Sequence, residues 1–310
     1  MNKKKFFGLL TSAAMLLNAT PLSVLAEEMV EASGVVGAVT NADGTIAVDK
    51  NNFPDENLLK AIKADNPGVT DAAKVTQLTV PNSVEDLSGL QYLTGLTTLN
   101  ITGNNNIDVV DLSTNTELTD LTLANNVTLY DVTLPSTQTL STVTITGNPA
   151  LTSLDLSPAS VLTKADVSNN AIAQLDVSNN AFLNTLNVNG NKLYSLDTTA
   201  CPKLQTLNAD GNKIYELKIV DKAIVNLYLA GNKLREFDGS NMSKLAALDV
   251  ADNMLEAITL PENKTITYLN VNQNHLAALD VTDAIASGAE VKSGIQSLFA
   301  GQDDEMKRST

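Results

Sequence analysis

The sequence predicts a mainly β solenoid, a right-handed coil of parallel sheets closed at its N-terminal end by a short helical cap. Three observations carry that expectation. Asparagines recur at a near-constant period: Asn104, Asn126, Asn148, Asn170, Asn191, Asn212, Asn232, Asn253 and Asn274 stand 22, 22, 22, 21, 21, 20, 21 and 21 residues apart. Apolar residues precede them at fixed spacing, Leu96, Leu99 and Ile101 before Asn104 and Leu118, Leu121 and Leu123 before Asn126, so an alternating strand opens each period. A second run follows, as in Leu193–Thr198 and Leu276–Val281, which splits the period into halves of 10–11 residues. A helix of three turns needs about eleven residues, so the convex side is expected to be strand or tight turn.

The elements follow in chain order. Lys3, Lys4 and Lys5, the apolar run from Phe6 to Leu17 and the small-residue site Val24-Leu25-Ala26 read as a signal peptide over 1–26, cleaved after Ala26. The run is too short and too interrupted to span a bilayer, and the mature chain is expected not to insert in one. Residues 27–48, rich in Ala, Val, Gly and Thr, read as a linker. Residues 49–74 read as the cap: Pro54 early in the first turn, Asp55 and Glu56 at its positive end, Leu58, Leu59 and Ile62 on one face, and Asn66-Pro67-Gly68 as the stop. Residues 75–281 form an array of about ten turns, the first degenerate, with Ser83 where a ladder asparagine would stand. Residues 282–310, with Val291, Ile295, Leu298 and Phe299, supply a weak last turn and tail.

In each turn the Leu-x-Leu residues point inward, and stacking pairs the strands at roughly 4.8 Å. The asparagines mark where the chain bends out of the ladder. An inward amide there bonds backbone groups that would otherwise be buried unpaired, so all nine are expected to be structural.

The pattern L-x-x-L-x-L-x-x-N is the leucine-rich-repeat signature. It resembles bacterial secreted and surface proteins of the internalin-like kind, and within them the nested IRREKO repeats, over roughly residues 75 to 281. Asn52-Phe53-Pro54-Asp55-Glu56-Asn57-Leu58-Leu59 is similar to the opening before many such arrays. The resemblance implies a chain outside the cell engaged in recognition or adhesion of an extracellular protein or glycan. Residues 301–310 hold no wall-sorting motif, so no covalent anchor is expected there.

Composition narrows the partners. Twenty Lys+Arg against thirty-five Asp+Glu give −15, which disfavours a counterion-release grip on nucleic acid or anionic lipid. One Cys, one His and no Trp leave little for a disulfide framework, a Cys/His zinc site or a His-based triad. Non-catalytic binding by a monomer is expected, with no cofactor.

Between the paired apolar positions the solvent-facing column reads Asn100, Thr122, Thr144, Asp166, Asn187, Asn208, Tyr228, Asp249 and Asn270. Its tyrosine, with Tyr268 two turns on, is either an anchor or sugar platform or plain β-propensity on an exposed strand. Tyr228, Tyr268, Asn208, Asp249 and Asn270 form the candidate binding set. The second half-turn shows Asp111, Thr133, Asp155, Asp176, Asp197, Lys218, Asp238, Thr259 and Asp280. Asp155, Asp176 and Asp197 are a speculative weak calcium site. A solvated acidic edge is the preferred reading, since no glycine-rich calcium loop accompanies them. Cys201 reads as a buried inert thiol and His275 as a surface residue. A spacer without a specific ligand is the alternative to the binding module.

Overall fold

The computed structural model describes residues 37–219 and 222–294, with the backbone of 298–299 and 307–308. The expected signal peptide, with its cleavage at Ala26, lies outside the described residues, as do linker residues 27–36, Ile295 and the side chains of Leu298 and Phe299. The chain divides into two compact units, 1–39 and 40–310, and the array lies wholly in the second.

The N-terminal cap is built around α1 (Glu56–Asp65). Asp55 is its N-cap: Oδ1 accepts from the backbone N–H groups of Asn57 and Leu58 at 2.8 and 3.0 Å, filling donors that a helix start leaves open. Pro54 therefore stands one residue before the cap and not in the first turn as expected, because the carboxylate is the better capping group. The other oxygen of Asp55 accepts from Glu85 and Asp86 N–H at 2.8 and 3.1 Å and pins the helix to the array. Burial opposes the ionised carboxyl, yet these four amides hold its pKa below the usual carboxylate value. Leu58 and Ile62 are buried and Leu59 half-buried. Asn66 closes the helix; its amide spans the carbonyls of Ile62 and Gln77 at 3.0 and 2.7 Å.

Residues 40–48, expected as linker, are instead tied to the cap. Antiparallel bridges join Thr40 to Ile46 and Ala47 to Asp71, and Val48 is buried. A turn at Asn41–Gly44, with Gly44 at φ 82°, lets Ile46 and Val48 fold back as apolar cover.

The strands run β1 (Gln77–Val80), β2 (Thr98–Thr102), β3 (Val109–Asp111), β4 (Asp120–Ala124), β5 (Asp131–Thr133), β6 (Thr142–Thr146), β7 (Lys164–Asp166), β8 (Thr185–Asn187), β9 (Ser195–Asp197) and β10 (Thr206–Asn208). They continue as β11 (Glu216–Lys218), β12 (Asn226–Tyr228), β13 (Glu236–Asp238), β14 (Ala247–Asp249), β15 (Ala257–Thr259), β16 (Ile266–Asn270), β17 (Leu279–Asp280), β18 (Ile285–Lys292), β19 (Leu298–Phe299) and β20 (Lys307–Arg308). Twelve make one sheet in the order β1-β2-β4-β6-β7-β8-β10-β12-β14-β16-β18-β20, and the others pair two by two. Every strand pairing is parallel, and within the array apolar residue stands opposite apolar residue, as Leu207 to Leu186 and Leu227 and Phe237 to Ile258. The chain is thus a β solenoid of about ten turns with one α-helix among the described residues. Ser153–Asp155 and Gln174–Asp176 carry no strand, so the lateral strands are interrupted over two consecutive turns by irregular backbone.

Eight of the nine ladder asparagines are buried; Asn274, near the open end, is half-buried. Each sends its amide to a carbonyl one turn back, as Asn191 Nδ2 to Val167 O and Asn212 Nδ2 to Val188 O, both at 2.9 Å. What the amide oxygen receives changes along the coil. In the 22-residue turns it accepts the N–H of the preceding ladder asparagine, Asn104 to Asn126, Asn126 to Asn148 and Asn148 to Asn170. From Asn191 onward it accepts the N–H two residues past that asparagine, from Ile172, Leu193, Ile214, Leu234 and Leu255. The switch falls where the period drops to 21, and there the main strands shorten from five residues to three.

Candidate binding face

The five candidate residues lie on four adjacent strands of the main sheet. Asn208 is registered against Tyr228, Tyr228 against Asp249, Asp249 against Asn270, and Ala247 against Tyr268. Asp249 joins three of them: Oδ2 accepts from Tyr268 Oη at 3.1 Å and from Asn270 Nδ2 at 2.9 Å, while Oδ1 accepts from Ala251 N–H at 3.0 Å. Burial first, and the Asp249 charge second, push the Tyr268 phenol above its ordinary pKa. Lys292 Nζ stands 5.3 Å from the Tyr268 ring centroid and 3.2 Å from Glu290, a cation–π distance. Tyr228 and Asn208 face the other way, onto a shallow depression of 260 Å³ bounded on its far side by Lys164 and Asp166.

Neighbouring strands explain why Tyr228 stands out. In this column Asp166, Asn187, Asn208, Asp249 and Asn270 each accept the N–H of the residue two positions on, at 3.0–3.3 Å. These are Asx turns that end the strand. A tyrosine cannot make one, and Ala230 N–H would be left without that acceptor. Asp210, on the preceding turn, takes it at 2.6 Å. Sequence reasoning missed Asp210; its signal was the tyrosine interrupting a run of Asp and Asn. Burial, with the Asp249 charge adding to it, pushes the Asp210 carboxyl up to about 6.

The sign of the resulting pH effect follows from proton counting. Asp210 keeps its proton in the folded state up to about pH 6 but loses it near 3.8 when unfolded, so this group's contribution to stability falls as pH rises through that window. Asp210→Asn keeps an acceptor and removes the charge. It is expected to be about 1 kcal/mol more stable than wild type at pH 8, allowing for solvent screening of a half-exposed carboxyl, and level with it near pH 4. Urea melts at both pH values check this; a difference that does not change with pH would contradict it.

The acidic column of the second half-turn has local partners. Asp111, Asp155, Asp176, Asp197, Asp238 and Asp280 each accept the N–H of a Ser or Thr two residues on, at 2.8–2.9 Å. The hydroxyl and amide of Thr199 hold the Asp197 carboxyl below its usual pKa, and the amide and hydroxyl of Ser178 do so for Asp176. The structure does not gather Asp155, Asp176 and Asp197 into one site: no three His, Cys, Asp or Glu side chains form a metal-holding group among the described residues. Cys201 is buried, its Sγ 3.5 Å from Val177 O, and burial pushes its thiol up to about 11. His275 is exposed.

Among solved structures, the functional domain of InlJ from Listeria monocytogenes, described as including a cysteine ladder, superposes with a TM-score of 0.62 and 25% identity, over 85% of this chain and 63% of that one. InlP from Listeria monocytogenes gives 0.57 at 19% identity, over 80% and 74%. The leucine-rich repeat domain of APL1B gives 0.55 at 18%, over 94% and 80%. The chain thus spans less than two thirds of the InlJ domain's length. No protein-family model and no curated protein matches the sequence. The fold is that of an internalin-like leucine-rich-repeat coil, and no described helix is long and apolar enough to cross a membrane.

Proposed function

We propose, from the internalin-like leucine-rich-repeat coil as premise, that this chain is an exported, non-catalytic binding module. Its ligand is an extracellular protein or glycan, held by the face around Tyr228. The observation that carries the reading is the exchange at Tyr228 and Asp210. A strand-ending Asp or Asn is replaced by an aromatic ring, and a carboxylate of the preceding turn is drawn into a partly desolvated position to take the orphaned amide. Breaking a local rule and repairing it nearby is what a functional position does. A tyrosine offers broad contact area with a polar end, here beside a depression lined by Asn187, Asn208 and Asp166.

The test passes the exported chain over glycans and extracellular-matrix proteins. Saturable binding is expected, weakened about thirtyfold by Tyr228→Ala, the size of an interface anchor worth about 2 kcal/mol. Thr144→Ala, on the same column at the other end of the sheet, should leave it unchanged. Binding indifferent to Tyr228 would remove this face from consideration, and silence across the array would favour a spacer. The threonine-dominated stretch Thr98, Thr122, Thr142 and Thr144 suits a spacer role for that part of the coil.

No metal enters the reading. The melting temperature is expected to be the same in millimolar calcium and in chelator. An ion present at a hundred times its Kd would add about 2.7 kcal/mol, a shift of several degrees that a thermal melt would detect.

A further inference from the structure

The lateral strands hold a second surface. β9 pairs with β11 and β13 with β15, but β11 and β13, on consecutive turns, are not paired with each other. The turn between them is the 20-residue one, Asn212 to Asn232. Just before the gap the coil is closed, since Lys233 N–H donates to Ile214 O at 2.9 Å. Beyond it a cleft of 520 Å³ opens along β11, β13 and β15.

Its floor is apolar. Leu217 and Ile219 are half-exposed, whereas Leu196 and Phe237, which hold the place of Leu217 in the flanking turns, are buried. Tyr215, 65% exposed, stands at one end. Among the described residues, the charged ones lining the cleft are Glu216, Glu236 and Asp238. Lys218 lies 3.4 Å from Glu216, and so offsets that acid, and 4.0 Å from Asp197, while Arg235 lies 3.8 Å from Glu256, outside the cleft. Among the described residues Glu236 has no ion-pair partner.

We propose that this cleft docks an extended segment of a protein partner presenting a lysine or arginine between apolar residues. The aliphatic stem lies on Leu217 and Ile219, the cationic head reaches Glu236, and Tyr215 flanks it. Strand edges paired on one side only suit an extended backbone. The surface is separate from the one around Tyr228, so the two readings stand or fall apart.

The experiment uses the full chain and fluorescein-labelled peptides Ala-Leu-Xaa-Leu-Ala, with Xaa Lys, Arg, Gln or Glu, followed by fluorescence anisotropy. The Lys and Arg peptides are expected to bind saturably and at least tenfold more tightly than the Glu peptide. Glu236→Lys, an exposed position where folding is checked by melting, should abolish that preference, and Tyr228→Ala should leave it intact. Equal binding of Lys and Glu peptides, no saturable binding up to millimolar peptide, or a preference that survives Glu236→Lys would overturn the proposal.

Discussion

Asn232→Ala is expected to lower stability by about 4 kcal/mol, the largest effect of any single change considered. The side chain is 1% exposed. Its amide donates to Ala209 O and Leu229 O, both at 2.9 Å, and to Ala230 O at 3.3 Å, while its oxygen accepts Ile214 N–H at 3.0 Å. Alanine leaves Ile214 N–H unsatisfied where water does not reach, at about 1–3 kcal/mol, and removes one of two donors from each carbonyl, at about 1 kcal/mol per bond, since Asn212 Nδ2, Asn253 Nδ2 and Gly211 N–H remain on Ala209 O, Leu229 O and Ala230 O. Because turns contact only their neighbours, part of the loss should appear as local opening. Urea unfolding measures the total, and faster hydrogen exchange at Ile214 locates it. Asn274→Ala, at a half-buried rung, should cost less than half as much. A deficit below 1 kcal/mol at Asn232 would mean that the amides are not what satisfies the coil's backbone.

Gly89→Ala is expected to be next, at about 3 kcal/mol. Gly89 sits at φ 104°, which L side chains rarely adopt, and an added Cβ would collide with Asn52 O and the Phe53 ring. Phe53 is fully buried and meets Tyr92 edge-on at 6.5 Å between centroids. The new methyl therefore pushes cap from array as well as straining the backbone. Gly68→Ala separates the two effects: Gly68 is also left-handed, at φ 79°, but nothing lies within 4 Å of its Cβ position. Only strain, about 1 kcal/mol, is expected there. Equal urea midpoints for the two variants would rule out the collision.

The ladder was legible because two independent periods, the 21–22-residue recurrence of asparagine and the two-residue alternation around it, point to the same strands. Adjacency of Asn208, Tyr228, Asp249 and Asn270 followed from that period alone, since residues one turn apart become neighbours. The bonds between them did not: whether Tyr268 reaches Asp249 depends on rotamers. Other features were written locally but read as composition. The acids at Asp155, Asp176 and Asp197 read as a solvated charged edge, and all three are exposed; the Ser or Thr two residues on also makes each an Asx turn. Buried Asn115 and Asn180 form part of a second set of rungs, reaching Leu93 O at 2.9 Å and Ala159 O at 3.0 Å, and escaped notice because Thr137, Ala159, Cys201 and Met242 break the column. The 20-residue spacing was plain in the sequence, but only the structure shows that β11 and β13, on either side of it, are not paired.

The change in what the ladder oxygen accepts gives the coil a modular grammar with a seam. Within the 21-residue class each asparagine needs only a carbonyl and an amide at set places in the turn before it. Asn191-Lys192-Leu193-Tyr194 and Asn212-Lys213-Ile214-Tyr215 offer the same junction. Excising residues 192–212 would place Ile214 where Leu193 had stood, with Asn232 still served, so length on that side is adjustable in whole turns. An excision joining a 22-residue turn to a 21-residue one would offer the next asparagine an amide at the wrong place. The seam at Asn170 and Asn191 therefore marks the boundary between two sets of interchangeable parts, and a change in the length of this coil is tolerated only within one set at a time.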